Sequence, residues 1–149
     1  MLGFYGEVIR VAQSGKKKPV ILIVEDEFLI RKGAVDMVSD AGFDVVEAET
    51  ADEAISILEG RFDITVVFID INMPGSMDGL KLAAAIRGRW PPIQIVATSG
   101  LRIIGKDELP PGSRFLPKPY SPSQIVGTLR ELTGAYFKRG QYRGINSSP

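Results

Sequence analysis

The sequence predicts an α/β domain in three layers: a five-stranded parallel sheet in the order 2-1-3-4-5, helices on both faces, and a short or irregular fourth crossover helix. Three observations predict it. Short apolar runs alternate with helix-period segments between residues 19 and 133, the pattern of a parallel sheet covered by helices. The runs are continuously apolar and β-branched rather than alternating, as strands buried on both faces require. Right-handed crossovers with helices on both faces then make 2-1-3-4-5 a leading strand order.

The first strand is Pro19 to Val24 (PVILIV). After it, Ile30, Ala34, Met37, Val38 and Ala41 recur at helical spacing and share one face, and Gly42 supplies a stop. The second strand, Asp44 to Ala48 (DVVEA), leads to a stripe of Ala51, Ala54, Ile55 and Leu58 that closes at Gly60. A third strand, Ile64 to Ile69 (ITVVFI), precedes Leu82, Ala83 and Ile86, whose helix breaks at Trp90-Pro91-Pro92. The fourth strand is Ile93 to Ala97 (IQIVA). Between Gly100 and Ser113, however, Gly105, Pro110, Pro111 and Gly112 leave room for only one or two helical turns. The fifth strand, Arg114 to Leu116 (RFL), is followed by Ser121-Pro122, an N-cap with proline at the first helical position. Ile125, Leu129 and Leu132 form the last stripe. Residues 1–18 read as a flexible leader and 134–149 as a flexible basic tail, too rich in glycine and polar residues to offset the entropy of ordering.

A chain of 149 residues suits one domain, here 19–133. It has no cysteine and no histidine, which removes disulfides, thiol nucleophiles, imidazole bases and imidazole-ligated zinc. What remains is the chemistry of carboxylates, hydroxyls and lysine. No apolar run spans a bilayer and the first residues do not form a signal peptide, so a cytoplasmic location without membrane is expected. The zero net charge divides unevenly: residues 19–133 carry 11 basic and 17 acidic side chains, whereas 1–18 carry four and one, and 134–149 three and none. An acidic body argues against nucleic acid as a partner.

In the order 2-1-3-4-5 the switch point lies between strands one and three, where open α/β sheets bind ligands beyond the strand ends. Glu25-Asp26-Glu27 follows strand one and Asp70 follows strand three. Neighbouring strands are about 4.8 Å apart, and two carboxylates at about 4 Å repel by about 4 kcal/mol at an effective dielectric near 20. Such a cluster calls for a cation or a proton, and an all-oxygen site suits Mg²⁺. Taken alone, the acidic triplet reads as a solvated turn, or Asp26 as the cap of a helix beginning at Glu27. Two acidic segments converging at a switch point favour a site. Lys118 follows strand five, and Ser99 with Thr98 follows strand four, so an ammonium and a hydroxyl reach the same edge.

These residues resemble the receiver domains of bacterial response regulators, over about residues 19 to 133. Four stretches carry the resemblance in order: ILIVEDE, VVFIDINMPGSMDGL, IVATSG and FLPKPYSP. It implies a flavodoxin-like fold and two-component signalling, in which a histidine kinase or phosphotransfer protein donates a phosphoryl group from phosphohistidine to Asp70. Asp70 is thus the phosphoacceptor, and the domain catalyses its own modification rather than turning over a substrate. The same resemblance implies Mg²⁺ held by Asp26, Asp70 and the backbone carbonyl of Asn72, with Glu25 assisting. Lys118 matches the lysine that pairs with the phosphoryl group, its bond to Pro119 being cis. Ser99 matches the hydroxyl switch residue, with Thr98 the alternative if the register slips by one. Phe115 matches the aromatic that turns inward on activation, or is a strand core residue. A downstream protein partner is implied, and a homodimer is an open alternative.

Three departures stand out: Glu25 where many relatives have aspartate, the extra length of Gly75-Ser76 before Met77, and the Pro/Gly-rich stretch from Leu101 to Ser113. Competing readings are a receiver-fold interaction module that ignores phosphate, and an aspartate-dependent phosphatase. The latter lacks its second acid, since Asn72 stands there. A flavin module lacks a phosphate-cradling glycine loop after strand one.

Overall fold

The computed structural model describes residues 18–73, 77–101 and 104–134. Residues 1–17 and 135–149 of the expected leader and tail, and the Gly75-Ser76 step, lie outside them. The elements run β1 (Val20–Val24), α1 (Phe28–Asp40), β2 (Asp44–Ala48), α2 (Ala51–Gly60), β3 (Ile64–Asp70), α3 (Gly79–Arg89), β4 (Gln94–Ser99), a 3₁₀ turn (Lys106–Glu108), β5 (Arg114–Pro117) and α4 (Pro122–Thr133). All strand pairs are parallel, in the order β2-β1-β3-β4-β5.

The apolar runs do what their composition requires. Every residue of β1 is buried, whereas the edge strands β2 and β5 are only partly so. On one face, Leu22, Val24, Val67, Ile69 and Ile95 pack with Leu58 of α2 and Leu82 and Ile86 of α3. On the other, Ile21, Ile23, Val66 and Phe68 pack with Ala34 and Val38 of α1 and Ile125 and Leu129 of α4. Burying each large side chain stabilises the fold by about 1.5–3 kcal/mol, before the entropy of ordering is counted.

Helix ends follow local chemistry. Gly42, at φ +101°, closes α1: its N–H donates to Ser39 O at 3.0 Å, and Phe43 N–H donates to Val38 O at 3.3 Å. Ser121 and Gln124 form a reciprocal capping box ahead of Pro122. Gly60 closes α2 as expected, as its last helical residue, and the chain leaves the helix at Arg61 in an extended conformation. The fully buried face of α1 comprises Arg31, Ala34 and Val38, while Ile30, Met37 and Ala41 of the expected stripe are half-buried.

Strands β3 and β4 run further than their apolar cores, because pairing continues through Asp70↔Thr98 and Ser99↔Pro117. Asp70, Thr98 and Ser99 therefore sit on the ends of rigid strands rather than in loops. In the fourth crossover the described residues hold a single 3₁₀ turn ahead of Pro110-Pro111. Among the described residues no helix is long and apolar enough to cross a membrane.

Candidate functional site

Val24 pairs with Ile69 across β1 and β3, so the next residues, Glu25 and Asp70, emerge side by side at the carboxyl edge of the sheet. The Glu25 backbone N–H still donates to Ala48 O at 3.0 Å, which keeps the chain in line with the strand. Glu25, Asp26 and Asp70 each bring a carboxylate oxygen to within 4.8 Å of the others. Glu25 and Asp70 are each only 4% exposed, while Asp26 is exposed. Asp26 does not cap α1. The cap position belongs to Glu27, whose side chain makes no capping bond, and whose N–H donates to Glu25 Oε2 at 3.1 Å.

Lys118 reaches this cluster from the loop after β5, with Nζ 2.9 Å from Glu25 Oε1 and 3.5 Å from Asp70 Oδ1. The Lys118-Pro119 bond is cis, and Lys118 N–H donates to Ser99 O at 2.9 Å. Asn72 N–H donates to Asp70 Oδ1 at 3.1 Å, and the Asn72 side-chain amide donates to Ser99 Oγ at 2.6 Å. Leu101 N–H also donates to Ser99 Oγ, at 3.2 Å. Thr98 Oγ1, by contrast, is buried with no hydrogen-bond partner among the described residues. Thr98 meets the Asp70 segment through its backbone carbonyl, which accepts from Ile71 N–H at 2.8 Å, whereas Ser99 meets it through its side-chain hydroxyl. Phe115 is half-buried and packs against the β-sheet core, where it lines a cleft of about 460 Å³ with Ile104 and Leu109.

Gly79 explains how α3 fits so close to the acceptor strand. A Cβ there would lie 2.4 Å from Asp70 O and 2.5 Å from Ile71 Cα. The Gly79 N–H donates to Ile71 O at 3.1 Å, closing the loop that begins at Asp70.

Burial sets the electrostatics. It pushes the Glu25 carboxyl up to about 7, against the lowering effect of the Lys118 and Glu27 hydrogen bonds. Burial likewise raises the Asp70 carboxyl, while Lys118 and the Asn72 N–H pull it down. Burial also pushes the Lys118 ammonium down, but its bond to Glu25 and the charge of Asp70 outweigh this and hold it above its usual value. Burial raises the Tyr120 hydroxyl to about 12, helped by the charges of Glu25 and Asp70. Among the described residues three acidic side chains face a single ammonium, so with all three ionised two further positive charges are needed for neutrality. The donors are all oxygens from two chain segments, which fits a hard divalent cation and not a soft metal.

Sequence reasoning missed Arg31. Its side chain, on a residue 6% exposed, donates from Nη1 to Glu25 O at 2.9 Å and from Nε to Glu47 Oε1 at 2.9 Å. The Lys32 hydrogen bond, with Arg31, holds the Glu47 carboxyl below its usual value. The available signal was spacing: Arg31 lies three and seven residues before Ala34 and Val38, on the face that turns inward.

Known proteins agree with this layout. The chain is 36% identical over 121 residues to the sensor kinase CckA of Brucella abortus, covering 75% of this chain and 12% of that kinase. It is 33% identical over 131 residues to the aerobic respiration control protein ArcA of Escherichia coli, covering 82% of this chain and 51% of ArcA. The chain thus spans only part of these longer relatives. It is 30% identical over 120 residues to a chemotaxis protein CheY homolog of Campylobacter jejuni, covering 76% of this chain and 92% of that protein. Among solved structures, a response regulator receiver protein from Sinorhizobium medicae superposes with a TM-score of 0.73 at 28% identity, covering 79% of this chain and 96% of the other. The receiver domain of the hybrid histidine kinase CckA superposes with a TM-score of 0.65 at 30% identity, covering 76% and 97%. With the model of the response regulator receiver domain matching residues 21–130, this chain belongs to that family.

Proposed function

We propose that this domain accepts a phosphoryl group on Asp70 from the phosphohistidine of a histidine kinase or phosphotransfer protein, with Mg²⁺ bound by Glu25, Asp26, Asp70 and the Asn72 carbonyl. The observation that carries it is the meeting of Glu25, Asp26 and Asp70 within 4.8 Å, beside the Lys118 ammonium, 3.5 Å from Asp70 Oδ1. When bound, Mg²⁺ supplies positive charge for the oxygens of the transferred group.

The chain's own residues do the rest. An Asp70 carboxylate oxygen is the nucleophile: the new O–P bond forms as the P–N bond of the donor breaks, and the imidazole leaves with the electron pair. The Asn72 N–H fixes Asp70 Oδ1, and Lys118 offers its ammonium to the phosphoryl oxygens. Ser99 then turns its hydroxyl toward the new acceptor oxygens, and Phe115 turns inward. The β4–β5 side changes shape, and a downstream protein reads it in the cytoplasm.

The test is to incubate the purified chain with acetyl phosphate and Mg²⁺ and measure its intact mass. A single phosphate adduct is expected, lost in Asp70→Asn and lost when Mg²⁺ is chelated. No adduct on the wild-type chain, or one that survives Asp70→Asn, would refute the assignment.

A further inference from the structure

We propose that Arg31 is a positioning residue of the acidic pocket: it fixes the Glu25–Asp26 peptide, and so sets where Asp26 presents its carboxylate to a divalent cation. The inference rests on the cation-binding reading above. Arg31 lies among Ala34 and Val38 on the buried face of α1, where an apolar side chain would avoid the cost of burying a charge. Its guanidinium instead has three partners: it donates to Glu25 O at 2.9 Å and Glu47 Oε1 at 2.9 Å, and forms an ion pair with Glu49 Oε2 at 3.7 Å. Two of these are carboxylates of the edge strand β2 and the turn after it. The third is the backbone of the pocket.

Glu25 O and the Asp26 N–H belong to one planar peptide, so a bond to the first restrains the second. Among the described residues the acidic turn is tethered by Glu25 N–H to Ala48 O at 3.0 Å, Arg31 to Glu25 O, Lys118 Nζ to Glu25 Oε1 at 2.9 Å, and Glu27 N–H to Glu25 Oε2 at 3.1 Å. The last two draw on a carboxylate that a cation would also draw on. Arg31 takes a carbonyl lone pair and leaves all three carboxylates available. With the Glu25 N–H bond to Ala48 O it is a tether that persists when the cation arrives, and the one made by a side chain to the Glu25–Asp26 peptide among the described residues, as outer partners of metal ligands do.

The test compares the full wild-type chain with Arg31→Met, Arg31→Lys and a core control, Val38→Ala, by calorimetric titration with Mg²⁺ alone. Amide hydrogen exchange at Asp26 and Glu27 is measured in parallel without metal. Arg31→Met should weaken Mg²⁺ binding about 10- to 100-fold, the usual effect of losing such a partner, and should speed exchange at both amides. Arg31→Lys keeps the charge but not the fork and should recover only part of the affinity. Val38→Ala should lower the melting temperature and leave Mg²⁺ affinity unchanged. Wild-type affinity in Arg31→Met, full recovery in Arg31→Lys, or an equal loss in Val38→Ala would overturn the role. A wild-type chain that takes up no Mg²⁺ overturns the cation reading itself, and the inference with it.

Discussion

Replacing Lys118 with methionine removes the ammonium while keeping most of the stem, and its effect should depend on pH in a way that reports the charge state of Glu25. In the wild-type chain burial raises the Glu25 carboxyl from its usual 4.5 to about 7. Between those values the folded state holds more protons than the unfolded one, so metal-free stability falls as pH rises and levels off above about 7. Lys118 stands 2.9 Å from Glu25 and 3.5 Å from Asp70, and its loss pushes both carboxyls higher. The folded chain then keeps a proton that the wild-type chain releases above pH 7, so the variant's stability goes on falling by about 1.4 kcal/mol per pH unit. The variant escapes the larger cost of a buried unpartnered charge by keeping this proton, so the deficit should be small near pH 5 and grow to about 2 kcal/mol near pH 8.5. Urea unfolding in EDTA at several pH values measures it. A deficit of the same size at every pH would show that the ammonium does not govern these carboxyls.

Two other substitutions test the frame around Asp70. Gly79→Ala would set a Cβ 2.4 Å from Asp70 O; α3 must shift, and a stability loss of about 2 kcal/mol or more, with weaker Mg²⁺ binding, is expected from thermal melts and titration. Thr98 Oγ1 is buried with no partner among the described residues, so Thr98→Val should be neutral or stabilising by up to about 1 kcal/mol with unchanged acetyl-phosphate uptake, whereas Ser99→Ala should slow uptake, measured as the rate of adduct formation by mass.

The strands were legible because β1, β3 and β4 lie inside a parallel sheet, where burial on both faces demands the unbroken apolar runs seen at Val20–Val24 and Ile64–Ile69. The switch point was legible for the same reason: it depends only on strand order, and strand order brings Glu25 next to Asp70. Two details were not. Strand ends were set too early at Ile69 and Ala97, because hydrogen-bonded pairing outlasts the apolar run by one or two polar residues. Arg31 was passed over because a periodicity search counts apolar side chains, and a buried guanidinium is stable only through acceptors contributed by Glu25 and Glu47, residues remote from it in any such count.

The two cations beside the pocket are tied to different things, and that difference predicts which side of the domain responds to a charge on Asp70. Arg31 bonds a backbone carbonyl and the Glu47 carboxylate, and pairs with Glu49, on the β2 side. New negative charge on Asp70 leaves those acceptors where they are. Lys118 instead shares its ammonium between Glu25 and Asp70, so added phosphoryl oxygens compete directly with Glu25 for it. Its backbone N–H is anchored to Ser99 O, and Ser99 Oγ in turn holds the Asn72 side chain and the Leu101 N–H. A shift of Lys118 toward Asp70 therefore loads the ends of β4 and β5 together, next to the cleft that Phe115 lines. The α1–β2 side, held by Arg31, should therefore stay in place, and the change expected on phosphorylation should be directed toward β4 and β5.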